Sequence, residues 1–111
     1  MTPNKVIEIV DRLKPNSYSE EDKLRWLSEL DGKVQSLVIQ SDNVIQYAYP
    51  EDMDRELLIP APFDDVYGLY LEAMIDYHNR EYDYYNNSMV MFETRYSDYK
   101  KDYIRNHQAR G

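Results

Sequence analysis

Two histidines, His78 and His107, and an acidic cluster, Glu51, Asp52, Asp54 and Glu56, are the residues whose types best lend themselves to chemistry. Their spacing does not support it. His78 lies near Asp76 and Glu81, but the Glu-x-x-His spacing that puts two ligands on one helical face is missing. It reads as a solvated hairpin histidine, and His107 as part of a frayed end. The acidic cluster lacks the glycine and the ligand order of an EF-hand loop, so it reads as a solvated loop. No glycine-rich phosphate loop, nucleophile elbow or His-Glu-x-x-His motif occurs. Paired carboxylates for acid–base work need an enclosed cleft, and no sequence feature points to one. The expectation is a protein with no enzymatic activity, no cofactor and no metal.

The chain also lacks cysteine, which removes disulfides and thiolate metal sites. Its 111 residues fit one domain, 1–111. The net charge of −8 works against binding nucleic acid or anionic membranes. No apolar run approaches the roughly 20 residues that cross a bilayer. The start, "MTPNKVIEIVDRLKP", is not a secretory signal, and we expect synthesis in the cytoplasm without export. Charge is uneven: Arg95, Lys100, Lys101, Arg105 and Arg110 outnumber Glu93, Asp98 and Asp102 at the C-terminal end, while the rest is strongly acidic. Ordinary solvated charge accounts for this, and so does a basic end that meets the acidic body of a neighbouring copy.

The elements are mostly helical. Thr2 caps a helix with Pro3 in its first turn and Val6, Ile9, Val10 and Leu13 on one face; Pro15 ends it. Ser19 caps a second, with Glu20, Glu21 and Asp22 in the first turn. Trp26, Leu27, Leu30, Val34, Leu37 and Val38 keep its phase to about residue 40, although Asp31-Gly32 offers a break. Residues 41–62 contain two β-prone runs, Val44–Tyr49 and Glu56–Ile59, and three prolines. They predict an extended arm or a short β-hairpin. A third helix starts near Asp64 and is apolar almost all round, hence central. Only Asp65, Gly68, Glu72, Asp76 and Asn79 or Arg80 form a stripe toward water, with Asp76 and Arg80 as an i, i+4 pair.

The segment "EYDYYNNSMVMFETRYSDYKKDYIRNH" holds six of the 12 tyrosines. Tyr82, Tyr85, Met89, Phe92, Tyr96, Tyr99 and Tyr103 step by three and four, a heptad seam on a helix of about 26 residues, roughly 39 Å long. The preceding seam runs through Tyr67, Tyr70, Met74 and Tyr77. The step from Tyr77 to Tyr82 is five, so the phase slips near "HNRE" and two helices meet there. About four helices are expected, ending in a long αα-hairpin over 64–107. The seam residues from Tyr67 to Tyr99 are the expected helical core. Tyr84 lies off the seam. With Val44, Ile45, Tyr47, Tyr49, Leu57, Leu58 and Ile59 of the arm, and with Lys100, Lys101 and Arg105, it makes the candidate subunit interface.

The stretch "LLIPAPFDDVYGLYLEAMIDYHNREYDYYNNSMVMF" resembles small virion proteins of tailed phages and prophages, in the head–tail connector or head-completion group. The shared features are the aliphatic run into Pro-x-Pro, then Phe63-Asp64-Asp65-Val66-Tyr67, Tyr70-Leu71-Glu72-Ala73, Ile75-Asp76-Tyr77, Glu81 and Tyr85-Asn86-Asn87. The resemblance covers residues 57–92 and rests on a packing pattern. It implies a helical subunit with an extended arm, assembled as a ring on the portal at the head–tail junction of the virion. Its partners would be further copies of itself and the portal and tail-completion proteins, with no sequence-specific nucleic acid contact and no membrane. It carries over no catalytic residue and no cofactor. The alternative is a small cytoplasmic helical adaptor or regulator that binds a protein partner.

Overall fold

A computed structural model describes residues 1–107. Four helices form: α1 Pro3–Leu13, α2 Glu20–Lys33, α3 Val66–His78 and α4 Tyr82–His107. No strand occurs among the described residues. The fold is thus mostly α with a long last helix.

The predicted caps do the expected work. The Thr2 side chain accepts from the Lys5 amide at 3.2 Å, and the Ser19 hydroxyl from Asp22 at 3.0 Å. Lys14 turns extended ahead of Pro15, ending α1. Gly32 does not break α2. The helix continues as a π-helical turn over Val34–Val38, where the Ile39 amide reaches back to the Val34 carbonyl at 2.9 Å. This wider turn leaves Leu37 exposed, although the phase of the sequence had placed it inward.

The slip near residue 80 is a tight corner. Arg80 adopts φ 61°, its amide bonds to Tyr77 at 3.0 Å, and the Glu81 amide bonds to Asp76 at 2.9 Å. That is a Schellman ending with arginine in the left-handed position that glycine usually fills. The corner turns α4 back along α3, so the αα-hairpin forms. α3 is central, packed against α1, α2 and α4.

The stripe of α3 expected to face water does so at its ends, where Asp65, Asn79 and Arg80 are exposed, while α1 partly covers its middle. The nearest atom to a side chain built on Gly68 is Val10 Cγ2 at 3.9 Å. Asp76 is buried and pairs with Lys14 at 2.6 Å, with its second oxygen unpartnered. The Asp76–Arg80 pair does not form, because Arg80 lies beyond the helix end in the left-handed turn.

The arm is extended chain and turns laid over the helices. Its β-prone backbone finds side chains in place of a ladder. Gln35 both donates to and accepts from Ile45, at 3.1 and 2.8 Å. The Ser28 hydroxyl accepts from the Tyr47 amide at 2.9 Å, and Asp31 from the Leu58 amide at 3.1 Å. Ser28, Asp31 and Gln35 sit on one face of α2 and its continuation, all buried. These groups satisfy amides that a hairpin would have paired, so no hairpin is needed. Met53, Leu57 and Ile59 then enter the core beside Val6, Leu27, Tyr67 and Leu71.

Candidate functional site

The most strongly built polar group is Asp31. Its side chain is fully buried, yet it accepts hydrogen bonds from the Tyr67 hydroxyl at 2.5 Å and the Tyr47 hydroxyl at 2.6 Å, besides the Leu58 amide. The Tyr67 oxygen in turn accepts from the Ile59 amide at 2.8 Å. Burial pushes the Asp31 carboxyl above the ordinary carboxylate range, against the donors that hold it down. Burial and the adjoining Asp31 push both phenols well above theirs. The Tyr67 and Asp31 side chains are fully buried, and Tyr47 is half-buried. Its effect is to clamp the arm to α2 and α3. Perturbed titration here belongs to structure, as it does in many buried networks.

The candidate interface residues divide. Val44, Ile45, Tyr49, Leu58 and Tyr84 are exposed, as are Lys100, Lys101 and Arg105. Val44, Tyr47 and Tyr49 line a hollow of about 430 Å³ against α2. Leu57 and Ile59 are corrected: both are buried in this chain's own core and are closed to a partner. Tyr47 is half-buried, with its hydroxyl committed to Asp31. Over Leu57–Ile59 the extended chain alternates, so Leu57 and Ile59 turn inward while Leu58 points out.

The helical core mostly stands where the seam places it. Tyr67, Tyr70, Phe92 and Tyr99 are buried, and Met74, Met89 and Tyr96 pack against the core from partly covered positions. Tyr85 is half-buried. Tyr77 and Tyr82 are corrected: they are exposed at the α3–α4 corner, where they pack edge-on to each other at 6.0 Å. The seam reads as a run of neighbouring rings, with Tyr70–Phe92 at 5.2 Å, Phe92–Tyr96 stacked at 5.4 Å and Tyr99–Tyr103 at 6.1 Å. Burial pushes the Tyr99 phenol up to about 12. His78 stacks on Trp26 at 4.7 Å, and its Nδ1 lies 2.8 Å from the Met74 carbonyl. His107 stacks on Tyr103 at 3.9 Å. Arg110, counted in the basic end, lies outside the described residues. Among the described residues, no three histidines or carboxylates converge on one point, and no helix is long and apolar enough to cross a membrane.

A second opening carries no motif of its own in the sequence. α1 and α4 stand as walls over a floor made by α3, enclosing a groove of about 570 Å³. Leu13 (68% exposed), Val90 (66%) and Met91 (57%) stand on its walls, and Ile9 and Leu69 lie within. Asp64, Asp65, Glu72 and Arg95 rim it. Arg95 is already engaged with Asp65 at 3.0 Å and with the Pro62 carbonyl at 3.1 Å. Burial raises the Glu72 carboxyl above its usual range, with Lys14 opposing. A groove of this shape and apolar lining fits the apolar face of an amphipathic helix. The available signal was the pair Val90-Met91, two apolar residues off the tyrosine seam.

Comparison with protein-family models, with curated proteins and with solved structures finds no match.

Proposed function

We propose that this chain is a non-enzymatic structural subunit of a tailed phage or prophage, assembling as a ring with copies of itself at the head–tail junction, on the portal. The observation that carries the reading is the coexistence of an unfilled apolar groove with an exposed cationic helix end. The groove lies between α1 and α4, and the end carries Lys100, Lys101 and Arg105. A closed ring needs two different complementary patches on each subunit. The resemblance of residues 57–92 to connector proteins supplies the class of particle. The acidic body, within a net charge of −8, suits a channel through which DNA slides without being gripped.

A second reading, a helical adaptor that binds one protein partner, draws on the same groove, which has room for one amphipathic helix. Co-sedimentation with purified portal assemblies separates the two. Recovery of the chain at a fixed multiple of the portal subunits supports the ring subunit. Absence from the portal pellet at any concentration overturns it and favours the adaptor.

A further inference from the structure

We infer that the groove between α1, α3 and α4 receives the C-terminal end of α4 from a second copy of this chain. The inference rests on the assembly reading above and names its contact.

The groove's walls are apolar and unfilled at Leu13, Val90 and Met91. Its floor includes Gly68, which brings no side chain, so an incoming helix can approach α3 closely. Its rim carries three carboxylates, Asp64, Asp65 and Glu72; of the cations beside them, Arg95 is held by Asp65, the Met1 ammonium by Glu56 and Lys14 by Asp76. A fitting occupant is therefore a helix with an apolar anchor between positive charges.

The end of α4 has that character. Ile104 is 58% exposed. Lys100 and Lys101 lie four and three residues before it, and Arg105 follows it, all on one side of the helix. The cations are lightly engaged at home: Arg105 pairs with Asp102 at 2.6 Å on the surface, and Lys100 lies 4.9 Å from the Tyr96 ring. Exposed pairs of this kind hold little free energy against a better partner.

This end cannot fill its own groove. Val90 and Ile104 stand on one continuous helix, about 20 Å apart along its axis at the usual rise of about 1.5 Å per residue. The insertion must come from another molecule, and it joins two different surfaces, so it repeats from copy to copy.

The test uses two variants of the full chain. One reverses the rim (Asp64→Lys with Glu72→Lys). The other reverses the helix end (Lys100→Glu, Lys101→Glu, Arg105→Glu). Circular dichroism verifies folding, and Ile104→Asp, a single exposed change, serves as a third variant that leaves the core alone. Sedimentation velocity up to millimolar concentration reads association. Each variant alone is expected to self-associate at least tenfold more weakly than the wild type. A mixture of the first two variants is expected to associate in equal proportion, because the intact end meets the intact groove and the reversed end meets the reversed rim. Wild-type-like association of all three variants, with no complex in the mixture, overturns the contact while leaving assembly through another surface standing. A wild-type chain that stays monomeric throughout overturns the contact as well. If it also ignores the portal, the assembly reading falls with it.

Discussion

Tyr67→Phe removes one oxygen from the core and leaves the ring in place. That oxygen donates to Asp31 at 2.5 Å and accepts from the Ile59 amide at 2.8 Å. A hydrogen bond to a charged group contributes about 1.5–3 kcal/mol, and a buried amide left without an acceptor costs about 1–3 kcal/mol. The two effects together come to about 2.5–6 kcal/mol. A water admitted to the gap would bring the loss toward the lower figure. Domains have about 5–15 kcal/mol in all, so the variant forfeits a large share of its stability. At about 4 °C per kcal/mol for a chain of this size, the melting temperature falls by about 10–24 °C. Urea unfolding followed by far-ultraviolet circular dichroism measures the change, with Trp26 fluorescence as a second probe. Tyr99→Phe is the control, because it removes a phenol oxygen that makes no hydrogen bond to the described residues. If Tyr67→Phe loses less than about 1 kcal/mol, no more than the control, Asp31 does not depend on its tyrosines and the clamp is misread.

Three further outcomes follow from the same geometry. Tyr47, Tyr67 and Tyr99 are held protonated in the fold above the ordinary phenol value of 10.0, Tyr99 up to about 12. The stability they contribute is full below pH 10 and declines as pH rises from there through the folded values; denaturation midpoints across pH 8–12 should fall above pH 10, and a flat profile would contradict the assignment. Arg80 occupies a left-handed position at φ 61°, so Arg80→Gly should stabilise by about 0.5–1 kcal/mol, read as a raised urea midpoint. Lys14→Met leaves Asp76 buried without its cation and should destabilise by about 3 kcal/mol; adding Asp76→Asn should recover part of that loss, and additive losses would show that the pair does not interact.

Much of the fold was legible because local signals agreed with tertiary packing. Thr2 and Ser19 are hydroxyl caps ahead of apolar periods, and both cap. The five-residue step from Tyr77 to Tyr82 marked the corner, since a seam cannot slip by one residue within an unbroken helix. The arm was less legible. β-propensity reports fit to a pleated surface and not the identity of the partner, and here the partners of Ile45, Tyr47 and Leu58 are side chains on α2 and its π-helical continuation. Asp76 was placed toward water because helical phase identifies a face without saying what covers it. What covers it includes Lys14, 62 residues earlier in the chain. The groove was hidden for the same reason: Val90 and Met91 become one wall only when α1 stands opposite.

We propose that this chain assembles through its own surfaces on a larger particle. Light scattering after size exclusion, over a wide range of concentrations and with purified portal protein, tests it most directly. The 13.4 kDa chain is expected to enter a closed complex of many copies, alone at high concentration or on the portal. A single monomeric mass under every condition, portal included, would contradict it.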